Sequence, residues 1–199
     1  MEWAVAGRAH LGESISGDRA VALDAGGGAT LFGVIDGLGH GGSAAEAAGR
    51  AAAVLAENCA EPLDILMVLC HRALGETRGA AISLARVEAE TSQLSWIGVG
   101  NVTADLFEVG PAGATIRASA LTAGGIVGYR MPNSLPAQAV TMKSGNLLVL
   151  CSDGILSDYP FAVDLSSAAH VIADKILGGH AKDADDATVL TARHRGAPQ

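Results

Sequence analysis

The sequence predicts a single α+β domain, and three observations point to it. An apolar run, Thr30 to Ile35, ends in Asp36 and is followed by a glycine-rich turn and two helices in succession. Four strand-like runs between Ala80 and Ala118 are separated by turns of a few residues, which suits antiparallel strands and leaves no room for crossover connections. A last helix and a last strand close the chain. Its 199 residues suffice for one sizeable core, so residues 1–199 are read as one domain.

Trp3 to His10 alternates roughly between apolar and polar and is predicted as the first strand. Glu13 to Arg19 is a turn-rich loop, Ala20 to Leu23 a short second strand, and Asp24 to Gly28 a hairpin connection in which glycine supplies positive φ. Thr30 to Ile35 is a buried strand. Ser43 and Glu46 match a capping box at the start of an alanine-rich helix running to about Asn58. Pro62 opens a second helix whose Leu63, Leu66, Met67, Cys70, Ala73 and Leu74 fall on one face. Strands follow over Ala80 to Ala89, Gln93 to Gly100, Val102 to Val109 and Ala114 to Ala118. Their turns are Thr91-Ser92, Gly100-Asn101 and Gly110 to Gly113, and the run reads as a meander. Thr122 to Thr141, with Pro132, Pro136 and three glycines, is expected to be a loop over one edge. Gly145 to Asp153 is a strand, Ser166 to Leu177 a helix stopped by Gly178-Gly179, Ala187 to Arg193 the last strand, and Gly196 to Gln199 a frayed tail.

Composition excludes several function classes. The formal charge of −8, without any Lys/Arg cluster, argues against nucleic acid or an anionic membrane as partner. No apolar run is long enough to span a bilayer and no secretion signal is present, so a cytoplasmic protein is expected. Cys59, Cys70 and Cys151 lie in apolar surroundings with no Cys-x-x-Cys spacing, which suits reduced thiols better than a nucleophile.

The glycine turn has a competing reading. Gly37-x-Gly39-x-x-Gly42 matches a dinucleotide fingerprint between a strand and a helix. Asp36 stands where its charge would repel a pyrophosphate, and the residue about 20 positions on, Glu57, is helical instead of ending a second strand. No Gly-Lys-Ser/Thr follows, so a Walker-type loop is excluded. The aspartates are the stronger signal. Asp18, Asp36, Asp153 and Asp185 all lie at strand–loop junctions, where rigid strand ends can gather carboxylates around hard divalent cations. Taken singly, each is more simply a turn former or a helix cap.

Four short motifs carry a family resemblance: Ser16-Gly17-Asp18, Asp36-Gly37-Leu38-Gly39-His40-Gly41, Ser152-Asp153-Gly154 and Asp185-Asp186-Ala187-Thr188. In this order the chain resembles, over nearly its whole length, the metal-dependent PPM (phosphatase 2C-like) serine/threonine phosphatases. It is most similar to their bacterial stress-response and sporulation branch. Thr77 to Ala81 and Val99 to Val102 make it look most like the small feedback phosphatase of the stressosome. The resemblance implies a two-sheet antiparallel β-sandwich flanked by helices on both faces, with the carboxylates gathered at one end. It implies two Mn²⁺ or Mg²⁺ ions and leaves a third open. Asp36 would bridge the two, the Gly37 carbonyl would bind one, Asp153 and Asp185 would complete the other's shell, and Asp18 would act through water. The implied reaction is hydrolysis of phosphoserine or phosphothreonine without a phosphoenzyme.

Some positions depart from the family pattern. Gly17 stands where larger members often carry glutamate, and Leu38 where many carry histidine. His40 has two readings, a proton donor to the leaving group or a loop residue, and the second is favoured. Arg8 and Arg19 are candidates for a phosphate-binding arginine, each with a surface-charge reading beside it. Asp186 is either a partner of the ligands or a turn residue, and Asn101 is read as a hairpin turn. The implied partner is a phosphorylated STAS-domain protein, met by a monomeric enzyme. The rivals are a phosphorylated anti-anti-sigma factor as substrate, and a non-catalytic binding module of the same fold.

Overall fold

The computed structural model describes residues 1–196; of the predicted tail, residues 197–199 lie outside the described residues. Two five-stranded sheets stack face to face. One has the order β1-β10-β9-β6-β7 and the other β2-β3-β4-β5-β8, all neighbours antiparallel. The strands are β1 Glu2–Arg8, β2 Asp18–Gly26, β3 Ala29–Gly37, β4 Ala80–Glu88, β5 Gln93–Val99, β6 Thr103–Gly110, β7 Gly113–Ser119, β8 Gln138–Thr141, β9 Leu147–Cys151 and β10 Ala187–Arg193. Helices α1 (Gly42–Asn58) and α2 (Leu63–Ala73) cover one outer face and α3 (Ala169–His180) the other. This is the α+β sandwich that the resemblance implied.

Period-two alternation sorts the side chains into layers. On β3, Leu31 and Ile35 face the helices, packing with Ala47, Ala48, Ala51 and Leu55 of α1 and with Leu66 of α2. Phe32 and Val34 face the other sheet and meet Leu148, Leu150 and Leu190. Each such fully buried side chain contributes roughly 1.5–3 kcal/mol. Beyond the far sheet, Val149, Val189, Ile172 and Ile176 form the layer beneath α3.

Several boundaries differ from expectation, each for a local reason. The capping box does not form. Helix α1 is capped by Gly41 at φ 72° with no side-chain cap, Ser43 is already helical, and Glu46 pairs with Arg50 at 2.8 Å. Glycine at 41 lets the chain turn two residues early. Pro62 is the N-cap of α2, one place before the helix proper. Gly178-Gly179 do not stop α3; nothing crowds them, and the helix runs to His180. It ends where Ala181 bridges Ile155 and the Lys182 N–H donates to the Gly154 carbonyl.

The loop expected over Thr122 to Thr141 ends in a strand, β8, paired with β5 over four residues. Strands β4 to β7 form two hairpins instead of one meander. Gly100-Asn101 is not a hairpin turn but the point where the chain leaves one sheet for the other. There Gly100 holds φ 95° and packs so tightly on Ala81 that a β-carbon would lie 2.5 Å from the alanine's own.

Candidate metal centre

The alternation that buries Phe32 and Val34 between the sheets puts Asp36 on the same face, at the open end of β3. Asp18 stands directly opposite it on β2. The Gly37 N–H donates to the Gly17 carbonyl at 3.1 Å and the Leu38 N–H to the Gly79 carbonyl at 3.0 Å. Gly37 must be glycine: a β-carbon would lie 2.2 Å from the Ala44 carbonyl oxygen, so close does α1 approach.

The opposite sheet supplies the other carboxylates. Ser152, just past β9, is clasped to β10, its N–H donating to the Thr188 carbonyl and its hydroxyl accepting from the Thr188 N–H at 2.9 Å. Asp153 follows. Gly154 then passes so close to the neighbouring chain that a β-carbon would fall 1.8 Å from the Asp186 carbonyl oxygen. Asp185 lies two residues before β10, its carboxylate accepting from the Asp186 N–H at 3.0 Å.

Asp36, Asp153 and Asp185 line one cleft of about 240 Å³ with Leu38, Gly39, Ala81 and Asn101. Asp18 does not line it; paired with Asp36 across the β2–β3 ladder and only 3 % exposed, it borders the separate groove that holds Arg8 and Arg19. Burial, then the charges of Asp18, Asp153 and Asp185, push the Asp36 carboxyl up to about 8. Burial is also the main cause for Asp18, which is pushed up to about 6; the Asp186 charge adds to this and a Ser152 hydrogen bond opposes it. Asp185 is raised by burial and by Asp153, against Lys182. A divalent cation held among these carboxylates would favour their charged forms and oppose these upward shifts.

The donors fit hard divalent cations. The lining polar groups are oxygen donors and one amide, with no imidazole or thiol. The buried Oδ2 atoms of Asp18 and Asp186 have no hydrogen-bond donor. Among the described residues no three His, Cys, Asp or Glu side chains converge on one point. Mg²⁺ keeps several waters and takes one or two carboxylates, so such convergence is not required.

The remaining sequence candidates separate clearly. The His40 ring stacks on His10 at 4.5 Å and its Nδ1 pairs with Glu13 at 2.7 Å, outside the cleft lining. Asp186 is buried and accepts from the His10 N–H at 2.8 Å, so it is no free turn residue. Arg8 bonds the Lys182 carbonyl, and Arg19 the carbonyls of Ser16 and Asp18; both line a different groove. Asn101 corrects its hairpin reading, for its amide donates to Asp153 Oδ2 at 2.5 Å. A larger cavity of about 360 Å³ between α2 and residues 131–136 has mixed polar and apolar walls and holds one acid, Asp64.

The sequence profile described as Stage II sporulation protein E (SpoIIE) matches residues 26–195. A search among curated proteins finds no match. A solved structure described under "The bacterial stressosome: a modular system that has been adapted to control secondary messenger signaling" is 29 % identical. It superposes with a TM-score of 0.85, over 96 % of this chain and 98 % of that one. RsbX in complex with magnesium is 24 % identical, with a TM-score of 0.78 over 95 % and 92 % of the two chains. The PP2C phosphatase domain with a regulatory fragment of SpoIIE from Bacillus subtilis is 18 % identical. Its TM-score is 0.76, over 99 % of this chain and 64 % of that one. With four carboxylates at one end of a PP2C-type sandwich and a family profile covering most of its length, this chain belongs to the SpoIIE family of phosphatase domains.

Proposed function

We propose that this protein is a Mn²⁺- or Mg²⁺-dependent phosphatase of phosphoserine or phosphothreonine in a stress-signalling protein. The observation that carries the reading is that Asp36, Asp153 and Asp185, held by two different sheets, line one cleft, with Asp18 buried opposite Asp36 on β2. Two divalent ions held there would polarise a phosphoryl group and make a hydroxide nucleophile available near neutral pH. In this reading Asp36 would hold both ions, the Gly37 carbonyl would add to the shell of one, Asp153 and Asp185 would complete the shell of the other, and Asp18 would act through water. The cleft lining contains no Ser, Thr, Cys or His, and its only other nucleophiles are the carboxylates that this reading commits to the ions, so direct hydrolysis is favoured over transfer to the enzyme.

The partner in this proposal is a phosphorylated STAS-domain scaffold protein of a stressosome, whose dephosphorylation would reset the signal. The 29 % identical structure from stressosome work supports that choice. A monomer in the cytoplasm completes the proposal. Among the described residues no helix is long and apolar enough to cross a membrane, and all three cysteines are free.

Phosphate release should be measured from a phosphorylated scaffold STAS protein and from a small, free phosphorylated anti-anti-sigma factor, competing in one assay. Activity abolished by EDTA, restored by Mn²⁺ and directed to the scaffold supports the proposal. Preference for the free protein moves the substrate to the anti-anti-sigma class. No release from either under any metal leaves a phosphoprotein-binding module.

A further inference from the structure

A phosphate dianion entering this cleft meets a net-acidic protein and three carboxylates. No cationic side chain lines the cleft. Lys182 lies outside the lining, with one of its three ammonium N–H groups on the Asp153 carbonyl and its charge acting on Asp185, and Arg8 and Arg19 are tied to backbone oxygens elsewhere.

Arg78 is different. It lies exposed on the short connection between α2 and β4. Its Nη1 stands 2.9 Å from the point where a β-carbon on Gly39 would be, and Gly39 lines the cleft. The guanidinium therefore lies against Gly39 of the glycine loop, beside the cleft that this loop lines. Among the described residues it has no carboxylate within 4.0 Å and no hydrogen-bond acceptor.

Its backbone, by contrast, is held firmly. The Thr77 hydroxyl accepts from the Gly79 N–H at 3.0 Å and donates to the Leu74 carbonyl at 2.8 Å. Gly79, at φ 80°, packs so closely that a β-carbon would lie 2.7 Å from the Val127 carbonyl oxygen. The Gly79 carbonyl accepts from Leu38, two residues after Asp36, which fixes the spacing between the arginine's base and the bridging carboxylate. An unpaired arginine on a rigid base beside an anion-processing cleft has the planar donor fork that grips phosphate oxygens in pairs.

We infer that Arg78 binds the substrate's phosphoryl oxygens at the rim of the acidic cleft, an inference that rests on the phosphatase reading above. It makes Arg78 a substrate-binding residue supplied by the α2–β4 turn and not by the N-terminal strands.

The test compares wild type, Arg78→Ala and Arg78→Lys, all loaded with Mn²⁺. Binding of inorganic phosphate is followed by calorimetry, and turnover is measured on p-nitrophenyl phosphate and on the phosphorylated STAS protein. Losing a charged bidentate contact is expected to weaken phosphate binding about tenfold or more in Arg78→Ala. KM should rise for both substrates and Mn²⁺ affinity should stay unchanged, with partial recovery in Arg78→Lys. Unchanged phosphate affinity and unchanged KM for the small ester would overturn the inference, even if the phosphoprotein alone were affected. A wild-type protein that turns over neither substrate removes the phosphatase reading. The phosphate titration still decides whether Arg78 binds the anion.

Discussion

Asn101 and Asp153 stand opposite each other where the β6–β9 ladder has already ended. Extending the register Thr103↔Cys151 by two places brings them face to face, and the amide donates to the carboxylate. The bond orients Asp153 before any ion arrives. Partners of this kind typically change metal affinity or activity by about 10–100-fold when removed. Asn101→Ala should weaken Mn²⁺ binding within that range while thermal unfolding of the metal-free protein stays near wild type. Calorimetric titration decides it; undiminished affinity would mean that the backbone alone sets Asp153.

The acidic cluster predicts an unusual pH dependence. Asp36 and Asp18 keep their protons to about 8 and about 6 in the folded protein, whereas the unfolded chain releases them near 4. Between those limits the unfolded state binds fewer protons, so metal-free stability falls as pH rises. Glu2 and Asp164, whose carboxyls shift downward, are ionised in both states across that window; their contribution is lost only at lower pH, as they take up protons in the folded state. The melting temperature of the EDTA-treated protein should drop from pH 5 to pH 8. The slope should flatten in Asp36→Asn, a variant that should also lose most turnover.

Two glycines should respond in opposite directions. Gly154→Ala would drive a β-carbon into the Asp186 backbone and should displace Asp153 or unfold the chain, with loss of Mn²⁺ binding. Gly178→Ala sits in the exposed last turns of α3 with open space around it, and should stabilise by about 0.5–1 kcal/mol. Urea titrations of both variants test the contrast.

The buried Asp105 carboxylate accepts from the Ser119 hydroxyl on one oxygen and from the Tyr159 hydroxyl on the other. Tyr159 opens a 3-10 turn just downstream of Asp153, so the pair pins the loop that carries Asp153. Tyr159→Phe leaves one carboxylate oxygen unpaired in the interior, at a cost of about 1–3 kcal/mol. Chemical denaturation with and without Mn²⁺ should show that loss in both states.

Much of this architecture was legible because its signals are local. The run ending at Asp36-Gly37, the helical spacing of Leu63, Leu66 and Met67, and the strand from Ala187 each specify their own element. The site needed more than spacing. Asp18, Asp36, Asp153 and Asp185 each look like turn formers until the sheet register places Asp18 against Asp36 and the cleft gathers the other two beside it. Gly100-Asn101 was misread because a hairpin and a change of sheet want the same glycine; only the destination of Thr103 tells them apart. Strand β8 was invisible because four residues beside a proline-rich stretch carry too little pattern. Arg78 falls within the Thr77 to Ala81 segment that carried part of the resemblance, but the sequence assigns it no role, since its place over Gly39 depends on α2 returning to the start of β4.

Asp36 and Asp153 belong to different leaves of the sandwich, and only the packing between the leaves keeps them side by side. Cations seated between them would therefore act as rivets across the seam. Occupancy would stiffen the whole slab against shear, and slackening of the distant aliphatic filling would register first as weakened ion retention. Amide hydrogen exchange along β3 and β9 should slow together when Mn²⁺ is added, for one clamp would be holding both.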